Sequence, residues 1–462
     1  MKKLIKDPEE ALKEKTKKIS TLEGCAYSAS DGFGVRYVTP FALAIGATNT
    51  HIGFLSSVPS LLGSFSQLYA IKLMNKFSRK TIAFFGALFQ AWMWLILIGV
   101  GALFFVYKIY TPYLPILLIF LYTLLVIGGS IYGPAWNSWM KEIVTKNSGR
   151  YFGMRSTICG AVALASMLIA GVILDHSKTN LFLGFMILFG VAFVSRNISA
   201  FLFRKTYEPK LVLDKQYYFS LKDFIKNIYK NNFGRFVIYI SLRSLTTTIA
   251  SPFFAVYMLK GLNFNYIPYT LVIMSSSLFS LLFMPLWGKF ADVYGNMKVI
   301  KICGFLIPLI PLFWVLSPLV ISLNGNFIIP YLIIIESFSG FAWAGFNLSA
   351  STFIFDAVTE QRMALCVTYY SIINNAGVFI GATLGGFISS LNFTFLSLTP
   401  LLSIFLLSSI LRLLISLIMV PKIAEVRKVK KFGFKEAEYK FLKSAPFHIF
   451  KNVSIRRIHP SD

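Results

Sequence analysis

Apolar segments of helical length recur along the whole chain. Each is longer than the roughly 20 residues that a helix needs to cross a bilayer. Twelve such segments are present, at about 24–46, 52–74, 81–106, 115–139, 152–174, 181–203, 234–259, 266–288, 299–320, 327–350, 363–388 and 397–420. The pattern predicts an all-α polytopic membrane protein with twelve transmembrane helices, numbered here as spans 1 to 12.

A polar stretch divides the twelve spans into two sets of six. Residues 204–235 are too charged to enter lipid and are predicted to form a cytosolic linker. We therefore expect a cytosolic N-terminal segment over 1–23, an N-terminal six-helix bundle over 24–203, a C-terminal bundle over 236–420 and a basic cytosolic tail over 421–462.

Composition agrees with a membrane protein and excludes an ordinary soluble one. Hydrophobic residues make up 56% of the chain and charged residues 14%, against roughly a quarter charged in soluble domains. The net charge of +26 reflects 45 Lys and Arg against 19 Asp and Glu, and its distribution indicates topology rather than nucleic-acid binding. Only Lys108, Lys178 and Lys260 fall in loops on one side, so the positive-inside rule predicts cytosolic termini, and we expect a plasma-membrane location. The basic tail either binds anionic lipid or only fixes the topology.

The two halves resemble each other. Thr39-Pro40-Phe41 in span 1 matches Ser251-Pro252-Phe253 in span 7, and Asp31 and Arg243 lie nine residues before the respective prolines. Glu142 at the end of span 4 matches Asp356 at the end of span 10. Such a repeat predicts two pseudo-symmetric bundles related by an axis along the membrane normal, with a binding site at their interface.

The loop after span 8, GKFADVYGNMK, carries the most specific motif. It resembles the G-x-x-x-D-[RK]-x-G-[RK]-[RK] signature of the major facilitator superfamily: Gly288, Asp292 and Gly295 match, and Lys298 lies one place late. Val293, Asn296 and Met297 replace the three basic residues. The first-half copy, IKLMNKFSRK, has Asn75 and Ser78 in place of the Asp and second Gly, whereas Lys76, Arg79 and Lys80 fit. The resemblance implies a secondary transporter with twelve helices.

The signature loops imply a cytosolic gate. Asp292, at the end of a span, can pair with a cation or cap a neighbouring helix, and such bonds would break when the cytosolic side opens. The predicted gate residues are Lys76, Arg79, Lys80, Glu142, Arg150, Gly288, Asp292, Gly295, Lys298, Asp356 and Arg362. The alternative is ordinary interfacial charge that only helps topology.

Charged residues within the spans are costly and predict a functional site. Asp31 and Arg36 lie five residues apart in span 1, a turn of about 140° on a continuous helix, so they are not expected to pair. The repeat offers Arg243 as a partner for Asp31 across a central cavity. A static ion pair of Asp31 with Arg36 or Arg243 is the alternative.

Further polar groups lie in the second half. Glu336 in span 10 begins a stripe with Gly340, Trp343 and Asn347, and a shielded carboxylate there could carry a proton. Asn374 and Asn375 in span 11 are candidate hydrogen-bonding residues of the cavity, or they cross-link helices. For Arg196 and Arg412, nearer the cytosolic ends, a structural role is favoured.

No phosphate-binding loop of the G-x-x-x-x-G-K-[ST] type and no H-E-x-x-H motif occurs in the sequence. We therefore expect neither an enzyme nor a cofactor or metal. The predicted function is secondary active transport of a small solute by alternating access, coupled to protons. A mild bias to anionic substrates is expected because the spans contain four arginines and only two carboxylates. The alternatives are a drug or metabolite efflux antiporter and a non-transporting sensor. We expect a monomer whose partners are its small-molecule substrate and the bilayer, not nucleic acid.

Overall fold

A computed structural model describes residues 8–74, 76–145, 148–209, 220–359, 362–391 and 398–429. The regular elements over these ranges are helices, so the predicted all-α fold class is confirmed. The α-helices are α1 (Pro8–Phe33), α2 (Val38–Ala44), α3 (Asn49–Met74), α4 (Arg79–Phe105), α5 (Tyr113–Ile143), α6 (Ser148–His176), α7 (Leu181–Arg204), α8 (Leu221–Lys226), α9 (Asn232–Thr248), α10 (Phe253–Val256), α11 (Tyr266–Tyr294), α12 (Asn296–Leu306), α13 (Leu309–Val315), α14 (Ser317–Leu323), α15 (Ile328–Ala357), α16 (Met363–Ser390) and α17 (Pro400–Met419).

Most predicted spans correspond to one long helix. Within the described residues, nine helical stretches are long and apolar enough to cross a membrane. Span 1 is divided into α1, a 3₁₀ turn over Val35–Tyr37 and α2. Span 7 is divided into α9 and α10, and α10 continues into a π-helical turn at Tyr257–Gly261. These two spans carry the repeated prolines: Pro40 lies in the first turn of α2, and Pro252 directly precedes α10. Span 9 is also divided, into α12, α13 and α14.

The chain folds into two compact units. The first comprises Met1–Phe219, Ser244–Leu271 and Ala364–Ile404, and the second comprises Ser220–Arg243, Val272–Met363 and Phe405–Asp462. The first unit thus contains the first six spans together with parts of spans 7, 8, 11 and 12. The residue bounds predicted for the two bundles stay a prediction.

The first unit is held together by extensive packing of α3 on α5, α4 on α5 and α7, and α1 on α6 and α7. One buried apolar cluster lies between α4, α5 and α7 and includes Phe84, Trp139 and Phe203. Its aromatic rings are buried by the surrounding helices, and such van der Waals packing is what holds helices together within a bilayer.

Close backbone contacts position the span 11 helix in the first unit. A Cβ at Gly381 or Gly385 would collide with the carbonyl groups of Leu245 and Ile249, respectively, so α16 approaches the span 7 chain as closely as glycine allows. These glycines thus form a packing surface, and small residues at helix contacts are typical of membrane proteins.

In the second unit, α15 packs against α12 and α13. Gly340 of α15 lies against the backbone carbonyl of Ser276. The interior also contains Trp314, Phe346 and Phe405.

Candidate functional site

Asp31 and Arg36 form an ion pair in the first unit. Arg36 Nε donates to Asp31 Oδ2 at 3.2 Å, and the two side chains are 48% and 22% exposed. The pair is therefore not enclosed by protein at the point where span 1 is interrupted. A guanidinium with half of its surface free can accept a second anionic ligand.

The expectation that Asp31 and Arg36 do not pair is wrong, because it assumed a continuous helix. The α1 helix ends at Phe33, and the 3₁₀ turn that follows rotates Arg36 back toward Asp31. Gly34 permits this path since a Cβ there would collide with the Trp94 ring. The helix break therefore creates the ion pair.

Arg243 is buried within the second unit. Its Nη1 donates to Ser416 Oγ at 2.9 Å and to the carbonyl oxygens of Gly304 and Arg412, both at 3.3 Å. Its guanidinium also lies 5.4 Å from the centroid of the Phe346 ring. Its predicted pairing with Asp31 stays a prediction.

Glu336 is half-buried in α15 of the same unit. The indole Nε1 of Trp314 donates to Glu336 Oε1 at 3.2 Å, and the Ser276 and Ser339 hydroxyls also interact with this carboxyl group. Arg412, which is 2% exposed, interacts with it electrostatically. Such surroundings hold the carboxyl group in one place.

The two predicted asparagines of span 11 differ in what the structure shows for them. Asn374 Oδ1 accepts a hydrogen bond from Ser244 Oγ at 2.6 Å, which links α16 to α9. Asn375 is half-buried on the same helix. The described residues contain no group of three or more His, Cys, Asp or Glu that could hold a metal ion.

The first-half gate residues are assembled around Arg79. Its side chain is fully buried and pairs with Glu142 through two bonds of 2.7 and 3.1 Å. Glu208, which follows span 6, accepts from the Arg79 backbone N–H at 2.7 Å and from that of Lys80 at 3.2 Å. Arg79 is thus held by the ends of two other spans, and Glu208 caps the start of α4.

The second-half gate residues come together differently. Asp356 accepts from Asn296 Nδ2 at 2.7 Å and pairs with Arg427 Nε at 3.1 Å. Asp292 is 78% exposed and lies 3.8 Å from Arg427 Nη1. Gly295 adopts a φ of 91° directly before α12, a conformation that favours glycine.

The other predicted gate residues have different surroundings. Lys80 Nζ donates to the Thr206 carbonyl at 3.0 Å. Lys76 and Arg362 are exposed, Gly288 is half-buried near Leu348, and Lys298 is half-buried in α12. Arg150 lies in α6, and its side chain is outside the described part of the chain, as is Asn75.

A buried polar network in the first unit was missed by the sequence reasoning. Glu23 lies 3.7 Å from Arg196 and 3.2 Å from Arg155, and it accepts from Ser199 Oγ at 2.8 Å. Arg196 also donates to Gln90 Oε1 at 2.8 and 3.0 Å and to Tyr132 Oη at 2.6 Å. One carboxylate and two guanidinium groups thus join five helices, α1, α4, α5, α6 and α7.

Glu23 was assigned to the cytosolic N-terminal segment because charged residues precede it. The signal that could have found it is the helical continuation upstream: Thr16, Ser20 and Glu23 recur at helical spacing, and all three are buried. A carboxylate on such a face needs a cationic partner, and Arg196 was the available one.

The ends of the helices opposite to the predicted cytosolic side carry a second group of contacts in the first unit. Thr50 Oγ1 lies 2.9 Å from Ser390 Oγ, and Asn49 Nδ2 donates to the Ser389 carbonyl at 3.0 Å. Lys260 Nζ donates to the Ala47 carbonyl at 3.1 Å, and partial burial lowers the pKa of this ammonium group. These bonds join spans 1 and 2 to spans 7 and 11.

Comparison with known proteins defines the class. The sequence profile of the Major Facilitator Superfamily matches residues 21–241 and again residues 236–456. The chain therefore belongs to the Major Facilitator Superfamily, a family of integral membrane transporters, and has its fold of twelve helices in two six-helix halves. No curated protein matches the sequence.

Solved structures show the same fold at low sequence identity. The nucleoside transporter NupG is 16% identical with a TM-score of 0.61, and the match covers 89% of this chain and 98% of that one. A bacterial homologue of the iron transporter ferroportin, solved in an inward-facing state, is 12% identical with a TM-score of 0.63 and coverages of 88% and 99%. A bacterial metal transporter is 13% identical with a TM-score of 0.58 and coverages of 88% and 97%.

Proposed function

We propose that this protein is a secondary active transporter that moves a small solute with an anionic group across the membrane by alternating access. The observation that carries the proposal is the half-exposed Asp31–Arg36 ion pair at the break in span 1. Many transporters bind their substrate at a discontinuous helix, and this pair lies at one.

The ion pair suits exchange of one anion for another. A carboxylate or phosphate can replace Asp31 on the Arg36 guanidinium, whose planar donors match such groups in two-point contacts. Asp31, once displaced, is left without its cationic partner, and a proton that enters with the substrate would neutralise it. Binding of the anion and of a proton would then be linked, which is the basis of proton-coupled transport.

The charge balance of the two buried clusters supports an anionic substrate. Glu23 is shared between Arg155 and Arg196 in the first unit. Glu336 is the carboxylate beside Arg412, which also interacts with Arg243, in the second unit. Each cluster thus has one negative and two positive side chains, and excess positive charge inside a membrane protein favours anions.

The structural relatives leave the solute open. Their names refer to nucleosides and to metal ions, and their low identity shows the fold alone. The proposal therefore rests on this chain's own charged residues. The distribution of Lys and Arg supports cytosolic termini, and a location in the plasma membrane is part of the proposal.

The test is transport by the purified protein in proteoliposomes. Solutes bearing a carboxylate or phosphate are first screened for thermal stabilisation of the protein, which follows from binding to the folded state. A stabilising solute is then assayed for counterflow and for accumulation driven by an imposed proton gradient. We expect both activities in the wild type.

Variants separate binding from coupling. Arg36→Gln should abolish stabilisation and counterflow, whereas Asp31→Asn should retain counterflow and lose gradient-driven accumulation. Lys13→Gln, in the exposed Glu9–Lys13 pair of α1, is the matched control and should behave as wild type. A solute that stabilises the protein but is never exchanged would indicate a sensor instead of a transporter. Full activity of Arg36→Gln would refute the proposed site.

A further inference from the structure

We propose that the segment after span 12, Ala424–Arg427, is a structural part of the second-half gate, in which Arg427 supplies the cation that the signature loop lacks. Arg427 would be a positioning residue that holds the loop after span 8 and the end of span 10 together. The segment is called the C-terminal clasp below.

The clasp contacts four helices of the second unit, α9, α11, α12 and α15. Asn232 at the start of α9 exchanges two hydrogen bonds with the Ala424 backbone, of 2.8 and 2.9 Å. Glu425 Oε2 accepts from the Met297 backbone N–H at 2.8 Å at the start of α12. Arg427 forms an ion pair with Asp356, and its Nη2 donates to the Ala291 carbonyl at 3.2 Å. A solvated cytosolic tail would not make this set of contacts with specific residues of the helices.

The first half shows which ion pair the clasp provides in the second half. There, Arg79 of the signature loop pairs with Glu142 at the end of span 4. The position equivalent to Arg79 in the second-half loop is Asn296, and the equivalent of Glu142 is Asp356. Asn296 donates one hydrogen bond to Asp356 but brings no charge. Arg427 brings the guanidinium to Asp356 from the other end of the half.

The acidic member of the clasp has a counterpart as well. Glu208 follows span 6 and accepts from the backbone N–H groups of Arg79 and Lys80 at the start of α4. Glu425 follows span 12 and accepts from Met297, the residue equivalent to Lys80. Both halves therefore cap the helix after the signature loop with a carboxylate from beyond their sixth span.

The clasp gives a reason for glycine at position 295 of the signature. The φ of 91° at Gly295 favours glycine, and a Cβ there would also collide with the Glu425 carboxylate. The second glycine of the motif thus admits the carboxylate to the helix N-terminus. The first half has Ser78 at this position, and its hydroxyl caps α4 by accepting from the Thr81 N–H.

The existence of the clasp does not depend on transport, whereas its effect on turnover rests on the proposed function. When the clasp holds the loop after span 8, the loop moves together with spans 7 and 10. When the clasp is released, the loop moves independently of them. The experiment below therefore measures local opening of the loop directly, without a substrate.

The test is amide hydrogen exchange of the full-length protein in lipid nanodiscs, followed over peptides that cover residues 295–300. Arg427→Gln should raise the exchange rate in these peptides by about tenfold, because opening frees the Met297 amide. Peptides over residues 79–84 of the first half should keep the wild-type rate. Lys428→Gln, which removes the neighbouring exposed charge, is the matched control and should change neither.

Two truncations and one charge exchange complete the design. A chain ending at Val429 retains the clasp and should exchange as wild type, whereas a chain ending at Lys422 should reproduce the effect of Arg427→Gln. The exchange Arg427→Asp with Asp356→Arg should restore protection at least in part. Equal rates for the two truncations, or wild-type protection in Arg427→Gln, would overturn the proposal. A rise in both halves would show global loosening and would also overturn it.

Discussion

Glu23 on α1 and Arg196 on α7 form a buried ion pair in the first unit, with 3.7 Å between Glu23 Oε1 and Arg196 Nη1. The side chains are 4% and 2% exposed. Because Gln90, Tyr132 and Ser199 complete the hydrogen bonding of Arg196, the pair fixes the relative positions of several helices at once.

Removal of the Glu23 charge should therefore strongly destabilise the protein. Glu23→Gln leaves the buried Arg196 and the half-buried Arg155 without their carboxylate, and breaking a buried pair in this way costs about 3–5 kcal/mol. The measurement is the free energy of unfolding by SDS titration in mixed micelles. Glu14→Gln in the exposed Glu14–Lys17 pair of the same helix is the control, with an expected loss below about 1 kcal/mol. Equal losses for the two variants would show that the buried network contributes no special stability.

A disulfide between positions 50 and 390 should lock the helix ends opposite the predicted cytosolic side in contact. The Thr50 and Ser390 hydroxyl oxygens lie 2.9 Å apart, so cysteines at both positions can reach bonding distance. In a chain without its four native cysteines, we expect mild oxidation to cross-link Thr50→Cys with Ser390→Cys and to stop counterflow, and reduction to restore it. Alternating access requires this end to open. Continued transport by the cross-linked protein would contradict that mechanism, and each single-cysteine variant is the control.

A methyl group at Gly381 should separate two helices. The Cβ of Gly381→Ala would collide with the Leu245 carbonyl, and such overpacking costs about 1–3 kcal/mol. A Cβ at Gly99 on α4 meets no atom within 4 Å, and Gly99→Ala should stabilise the helix by up to about 1 kcal/mol. Thermal unfolding of the two variants should therefore shift in opposite directions. A shift of the same sign in both would mean that the contact of α16 with α9 is looser than the structure shows.

Lysine should not replace Arg79, although the family signature accepts either residue at basic positions. Arg79 makes a two-point contact with Glu142 and also donates to the Pro209 carbonyl at 2.8 Å. A lysine ammonium cannot make this planar set of bonds, and we expect Arg79→Lys to lose about 2 kcal/mol or more. Lys76→Arg, at an exposed position of the same loop, should be neutral. The free energy of unfolding of each variant gives the comparison.

The fold could be predicted from the sequence because the bilayer imposes a strong rule. Every span must be apolar and about 20 residues long, so the spans are visible without knowledge of their packing. The association of Arg79 with Glu142 was also predictable, since the signature loop and the end of span 4 meet at the same membrane face. Both predictions depend on local composition and topology alone.

The details of the candidate site required the structure. The Asp31–Arg36 pair depends on a helix break that Gly34 permits but does not require. Glu23 was assigned to the cytosol because hydropathy does not distinguish a charge facing lipid from one facing a buried arginine. Arg427 stands in a run of basic residues whose composition is typical of a solvated tail. In each case the partner lies on another element, and no pattern along one segment identifies it.

The position of the clasp along the chain also has a consequence for biosynthesis. The first half can complete its signature-loop contacts once Glu208 has left the ribosome, before any of the second six spans has been inserted. The second half has to wait for Glu425 and Arg427, which are translated after its last span. Membrane insertion of all twelve helices would therefore precede final closure of that half, which leaves its loop exposed to proteases and chaperones until synthesis is nearly finished.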